Sequence, residues 1–193
     1  GGRAVGGRRL ARGLHAGWGG RGVGAGAGAI RSWMGGVGGP TGRVEAVDLD
    51  QMFLSEVGRP NVSVVRADIR TAQLSQQSFD VVHARYVLIH LADHEVALTK
   101  MLDCLKPGGW LVLEEPDFSA SRGIAGDEEE LVSFYKVSQA IAKMYATLRM
   151  DHALGLKLPA LLQRRGLQDI AVENEAPPCA GRSGMATAMK KSA

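Results

Sequence analysis

The segment Val23-Gly24-Ala25-Gly26-Ala27-Gly28-Ala29-Ile30, followed by Arg31-Ser32-Trp33-Met34, is patterned as a glycine turn that opens a short helix. Glycines at alternate positions let the backbone approach a ligand closely. Gly24, Gly26 and Ala29 also satisfy the dinucleotide pattern G-x-G-x-x-[GA], and in so glycine-rich a stretch such a match can arise by chance. Next comes Val44-Glu45-Ala46-Val47-Asp48, a strand ending in a carboxylate 20 residues after Gly28. An acid there can accept both ribose hydroxyls of a nucleoside lying across the C-terminal ends of a parallel sheet. Asp50 is the rival ligand and is otherwise assigned to capping a helix over 51–57, while Glu45 is expected to face solvent. Asp68, in Ala67-Asp68-Ile69, ends the following strand, where it can accept an adenine amino group or simply form a turn.

His83, His90 and His94 fall within one stretch, and an imidazole there can take a proton from an acceptor hydroxyl or nitrogen. A histidine beside a helix start also serves as a cap or a packing residue; His90 is the catalytic candidate. Glu114 and Glu115 close a strand together, but neighbouring strand residues point to opposite faces, so they cannot act on one substrate as a carboxylate pair. No His, Cys or carboxylate cluster has metal-ligand spacing, and no metal is expected.

These residues must be carried by alternating elements. From Val44 onward, short β-branched runs alternate with helical patterns, the signature of a parallel sheet covered by helices. Strands are expected at Val44–Asp48, Val62–Arg66, Phe79–Ala84, Trp110–Glu115 and Leu167–Asn174. Asp93 can cap a helix carrying Leu98, Met101, Leu102 and Leu105, stopped by Lys106-Pro107-Gly108. A second helix starts in the acidic run Asp127–Glu130 and is expected to bury Leu131, Phe134, Tyr135, Ile141 and Tyr145; a third runs from His152 to Arg165. The fold class is therefore α/β, a doubly wound, mostly parallel sheet.

The chain has 193 residues, 45% hydrophobic and 22% charged, which suits one globular domain. Of its 26 glycines, 17 lie in residues 1–43. Residues 1–22 (GGRAVGGRRLARGLHAGWGGRG) lack periodicity and apolar content, so they are expected to be a disordered or atypical terminus, with the domain over 23–193. The formal charge of +3 comes mostly from the ends and identifies no partner; aromatic interleaving is almost absent from the arginine-glycine text, which argues against specific nucleic-acid binding. Cys104 and Cys179 cannot form a disulfide framework or a Cys-based zinc site, so a reducing, cytoplasmic setting fits best. No window has the apolar length of a membrane span, and no membrane association is expected.

The most specific text is Ser78-Phe79-Asp80-Val81-Val82-His83-Ala84-Arg85-Tyr86-Val87-Leu88-Ile89-His90-Leu91 and, after the helix, Leu105-Lys106-Pro107-Gly108-Gly109-Trp110-Leu111-Val112-Leu113-Glu114-Glu115-Pro116. This pairing resembles the class I S-adenosylmethionine-dependent methyltransferases of the small-molecule type, over about residues 23–175 and most strongly over 78–117. The resemblance implies a Rossmann-like methyltransferase fold that binds S-adenosyl-L-methionine and methylates a small-molecule acceptor chosen by the helices of residues 118–166. It further implies that Gly24, Ala25, Gly26 and Gly28 hug the methionine portion of the donor, and that Asp48, with Leu49 beside it, holds the ribose. Asp68 and Ile69 then meet the adenine, and Ala84 and Arg85 line the donor pocket.

Two departures accompany the resemblance. The family carries an acid two places before the first glycine of the turn, where this chain has Gly22, and the expected apolar first strand is replaced by His15-Ala16-Gly17-Trp18-Gly19-Gly20-Arg21. The sheet is also expected to be truncated at its last strand, with 185–191 as the start of that element. These departures keep open a non-catalytic fragment of the same fold. A nicotinamide-dependent oxidoreductase is the enzyme rival, but no Tyr-x-x-x-Lys or other hydride-transfer set accompanies the glycine turn. The oligomeric state has no signature in the sequence.

Overall fold

Valine-rich runs favour extended backbone, and the computed structural model, which describes residues 3–4, 17–24, 41–50, 61–176 and 178, shows six strands, not all of them of that composition. In chain order they are β1 (Arg3–Ala4), β2 (Gly20–Val23), β3 (Val44–Asp48), β4 (Val62–Arg66), β5 (Phe79–Arg85) and β6 (Leu105–Glu114). They form one sheet in the order β1-β6-β5-β2-β3-β4, with every pair parallel. The helices are α1 (His94–Asp103), α2 (Glu128–Thr147) and α3 (Leu154–Arg164). Ala97, Leu98 and Met101 of α1 and Leu154, Leu158, Leu161 and Leu162 of α3 join Val82, Ala84, Leu88 and Leu111 in the main core. Among the described residues no helix is long and apolar enough to cross a membrane.

The central strand is the least expected element. β2 has the sequence Gly-Arg-Gly-Val, yet all four residues are buried, and it pairs over its full length with both β3 and β5. The fold thus begins before Val23: residues 17–22 belong to it, and Arg3 and Ala4 pair with Trp110 and Leu111 of β6, where composition predicted disorder. What lets an arginine occupy this strand is a counter-charge from the next one. Arg21, 1% exposed, donates from Nη2 to Glu45 Oε1 at 2.5 Å, directs Nη1 at Cys104 Sγ and the Ser75 carbonyl, and stacks 4.1 Å from the centre of the Phe79 ring. Glu45, expected in solvent, is therefore only 7% exposed; it also accepts from Arg43 at 3.3 Å.

β6 starts five residues earlier than expected. Phe79 pairs with Leu105 and Val81 with Trp110, so Lys106-Pro107-Gly108-Gly109 bulge opposite Asp80 alone. The bulge is pinned by Lys106 Nζ, 2.9 Å from both Asp80 carboxylate oxygens, while Asp80 Oδ2 also accepts from the Gly19 N–H at 2.8 Å. A Cβ at Gly109 would sit 3.0 Å from the Lys106 carbonyl and 3.1 Å from that of Asp80, which explains the second glycine of the turn.

Two expectations are corrected. Leu167–Asn174 is no strand: Gln168 makes an isolated bridge, Asp169 adopts a φ of 52° that breaks an extended run, and Val172 is exposed. α2 begins as expected, with Asp127 and Glu130 forming a reciprocal capping box, but of its apolar residues only Tyr145 is buried, with Ile141 partly so. Leu131, Phe134 and Tyr135 remain exposed because α2 meets the body near its C-terminal end, where Tyr145 packs 5.9 Å from Phe118. The remaining glycine turn (25–30), the 51–57 helix and the 185–191 element lie outside the described residues.

Removing one partner of a buried ion pair strands the other charge. Glu45→Ala is therefore expected to lower unfolding free energy by about 3–5 kcal/mol, whereas Arg21→Met combined with Glu45→Leu should be close to neutral or stabilising. Urea unfolding measures both; a Glu45→Ala chain as stable as the parent would show that the guanidinium reaches water.

Candidate functional site

Strand register gathers the expected residues at one edge. Val23 pairs with Val47 on one side and Ala84 on the other, so the next residues along, Gly24, Asp48 and Arg85, form one row at the C-terminal ends of β2, β3 and β5. This is the crevice side on which parallel α/β sheets hold nucleotide-like ligands. At the centre of the row Gly24 turns with φ 62° and donates its N–H to the Val47 carbonyl at 2.9 Å. A Cβ there would lie 2.2 Å from Val87 Cγ2, so only glycine lets the loop after β5 close over the end of β2.

The acids differ in their surroundings. Asp48 accepts the Asp50 N–H at 3.0 Å, an Asx turn that orients its carboxylate past the strand end, and Leu49 is largely exposed beside it. Asp68 lies two residues beyond Arg66, which pairs with Asp48. Its carboxylate accepts from Arg70 Nε at 2.9 and 3.1 Å and Nη2 at 2.6 Å, and Arg70 Nη1 reaches Asp93 at 2.9 Å, at the start of α1. The Arg70 guanidinium holds the Asp68 carboxyl below its ordinary value, and the Asp68 and Asp93 carboxylates push the guanidinium's own pKa up in return. Ile69 is buried in the core next to it. Arg70 was not among the residues picked from the sequence; its spacing of two from an acid at a strand end was the available signal.

Ala84 is fully buried and Arg85 exposed, its guanidinium 5.5 Å from the Tyr86 ring. The turn Leu88–His90 follows the end of β5, with Leu88 and Ile89 buried and His90 exposed. His83 is buried within β5 and shares a 2.9 Å hydrogen bond with Glu114, whose carboxyl is held below its usual range chiefly by that histidine. Glu115 points the other way, as alternation requires. Its Oε1 accepts from the N–H groups of Val87 (3.0 Å) and Leu88 (2.8 Å), and its Oε2 from that of Ile89 (3.2 Å). Burial nevertheless pushes the Glu115 carboxyl up, against the opposing pull of these three bonds. Gly24, Asp48, Leu49, Asp68, Ile69, Ala84, Arg85 and His90 thus all sit at or beside the ends of four adjacent strands, while Ala25, Gly26 and Gly28 lie outside the described residues. Among the described residues no group of three His, Cys, Asp or Glu is placed to hold a metal ion.

Known proteins resemble this chain in sequence and in fold. The sequence model of the family described as "Methyltransferase domain" matches residues 22–113, from the central strand to the end of β6. Demethylmenaquinone methyltransferase of Staphylococcus aureus is 37% identical over 83 residues, 40% of this chain and 34% of that protein. An uncharacterised protein of a Streptomyces fradiae transposon is 37% identical over 86 residues, 42% of this chain and 25% of that one. The chain thus spans a quarter to a third of these curated relatives. A S-adenosylmethionine-dependent methyltransferase of Aquifex aeolicus superposes with a TM-score of 0.51 at 19% identity, covering 73% of this chain and 77% of that structure, which establishes the Rossmann-like fold.

Gly24→Ala should destabilise the chain by about 1–3 kcal/mol through the strained φ alone, and adding Val87→Ala should recover part of any further loss. Thermal melts of the single and double variants test this; equal melting of Gly24→Ala and parent would show a relaxed turn. Between the ordinary Glu115 value of 4.5 and its raised folded value, the folded chain binds more protons than the unfolded one. The contribution of this group to stability therefore falls as pH rises through that window. Glu115→Gln should flatten that part of the stability profile, and an unaltered profile would refute the assignment.

Proposed function

We propose that this chain, whose residues 22–113 match the family described as a methyltransferase domain, is a class I methyltransferase that binds S-adenosyl-L-methionine and transfers its methyl group to a small-molecule acceptor. The observation that carries the reading is the row Gly24, Asp48 and Arg85 across three paired strand ends, within the segment that matches the family. Two local features support it: Gly24 makes a turn at the end of β2 that a Cβ would forbid, and Asp48 carries a hydrogen-bond acceptor just past the end of β3, suited to ribose hydroxyls. When bound, the donor supplies a methyl group on a positively charged sulfur.

In this reading Gly24, with Ala25, Gly26 and Gly28 after it, lets backbone approach the amino-acid end of the donor. Asp48 accepts from the ribose, with Leu49 beside it. Asp68, its carboxylate oriented by Arg70, and Ile69 bound the adenine side, and Ala84 and Arg85 close the floor and rim. An in-line displacement asks mainly for positioning and exclusion of water. His90 is exposed on the neighbouring turn, where it can accept a proton from an acceptor hydroxyl or nitrogen. The helical segment 118–166 forms the acceptor side. Support for a small acceptor comes from the S. aureus relative, whose name specifies one. The two cysteines, without a disulfide framework, favour the cytoplasm.

A second reading is favoured by one specific feature. Where the family carries an acid, the chain has Gly22, which pairs with Ala46 and His83 in the sheet centre and offers no side chain to the donor. A fold that binds donor weakly, without turnover, follows from that loss.

Calorimetric titration with S-adenosylhomocysteine and with NAD separates the possibilities. Saturable binding of the former and none of the latter is expected; the reverse would overturn the proposal. Asp48→Ala should weaken S-adenosylhomocysteine binding at least about tenfold, since a hydrogen bond to a charged acceptor is worth roughly 1.5–3 kcal/mol. A variant that binds as tightly as the parent would remove Asp48 from the site.

A further inference from the structure

Glu115 has no part in the reaction proposed above, yet it is the carboxylate on which the loop beside the glycine turn depends. The turn Leu88–His90 has Val87 at its N-cap, and Val87 supplies no side-chain cap. The capping oxygen atoms come instead from another strand: Glu115, just past β6, accepts the N–H groups of Val87, Leu88 and Ile89 within 3.2 Å. Consecutive N–H groups converging on one carboxylate are a strong, directional clamp. Among the described residues no lysine, arginine or histidine forms an ion pair with it, and the titratable group facing it from α2 is Tyr145, whose hydroxyl is pushed up by burial and by the Glu115 charge. The backbone of Val87–Ile89 therefore provides the compensation for this carboxylate.

The clamped loop touches the site at both ends. At its start Val87 lies so close to Gly24 that no Cβ fits between them, and at its end is His90. The loop also carries Tyr86, held at φ 53° with its N–H donated to the Glu114 carbonyl at 2.9 Å. Movement of Val87–Ile89 would thus be transmitted directly to the Gly24 turn.

We propose that Glu115 is a positioning residue for the donor site: by gathering three backbone N–H groups it holds Val87 against Gly24 and fixes the geometry of the donor-binding turn. The inference rests on the donor-binding reading above. Its two carboxylate oxygens have separable duties, because Oε1 serves Val87 and Leu88 whereas Oε2 serves Ile89 alone. A glutamine can keep the first duty through its carbonyl oxygen but not the second, because its NH2 group cannot accept from Ile89.

The test compares the full 193-residue chain with Glu115→Gln and Glu115→Ala, using S-adenosylhomocysteine titration and amide hydrogen exchange. In Glu115→Ala the amides of Val87, Leu88 and Ile89 should lose protection while β5 keeps its own, and affinity should fall by about tenfold or more. Glu115→Gln should lose protection at Ile89 only and recover most of the affinity; it also serves if the alanine variant does not fold. A parent chain that fails to bind S-adenosylhomocysteine overturns the donor reading and the inference with it. A parent that binds, with variants of lower melting temperature but unchanged affinity, overturns the positioning role alone.

Discussion

The sheet depends on one ion pair in its middle. A central parallel strand is normally apolar on both faces, but β2 offers two glycines, an arginine and a valine, and the pairing of Arg21 with Glu45 makes that strand compatible with burial. Arg21 crosses between neighbouring elements: its guanidinium meets β3 through Glu45, the end of α1 through Cys104 and the first residue of β5 through the Phe79 ring. The same environment pushes the Cys104 thiol upward by burial, opposed by the nearby guanidinium. Because β2 lies between β3 and β5, the alignment of Gly24 with Asp48 and Arg85 is set by a strand that is held in place electrostatically.

This arrangement explains which parts of the fold could be read from residues alone. β3 and β5 were legible because the valines of Val44–Asp48 and Phe79–Arg85 are buried, so propensity and burial agree there, while β4, an edge strand with no buried residue, was legible from the valines of Val62–Arg66 alone. β2 was not, since its stability comes from a charge partner 24 residues away, and no local pattern announces such a contact. Glu45 was misplaced in solvent for the same reason. The start of α2 was legible because its capping box is local, while the fate of Leu131 and Phe134 depended on which turns of the helix reach the body.

The site shows a similar division. Gly24, Asp48, Asp68 and Ala84 could be chosen from their places after successive strands, and register puts them at the expected edge. The residues that orient them were harder to see. Arg70 grips Asp68 and Asp93 at once, which joins the end of β4 to the start of α1. Val87 acts through shape alone, and Glu115 through backbone groups on a loop 26 to 28 residues earlier. Hydrogen bonds to backbone leave no complementary residue type to search for.

The bulge at Lys106–Gly109 has a consequence for how this chain can vary in length. Four residues there stand opposite Asp80, and they fix the phase in which Trp110–Glu114 runs along β5. If one residue were deleted there and the bulge kept its four-residue length, Trp110 would enter it and every later side chain would slip one place along β5, onto the opposite face of the sheet. Glu115 would then arrive opposite Arg85 and beside His83, while Pro116 would occupy the position from which three loop amides are now received. A proline has no side-chain acceptor. The length of the Lys-Pro-Gly-Gly segment is therefore a counting device: it decides which of two adjacent, chemically identical carboxylates serves a histidine and which serves a loop.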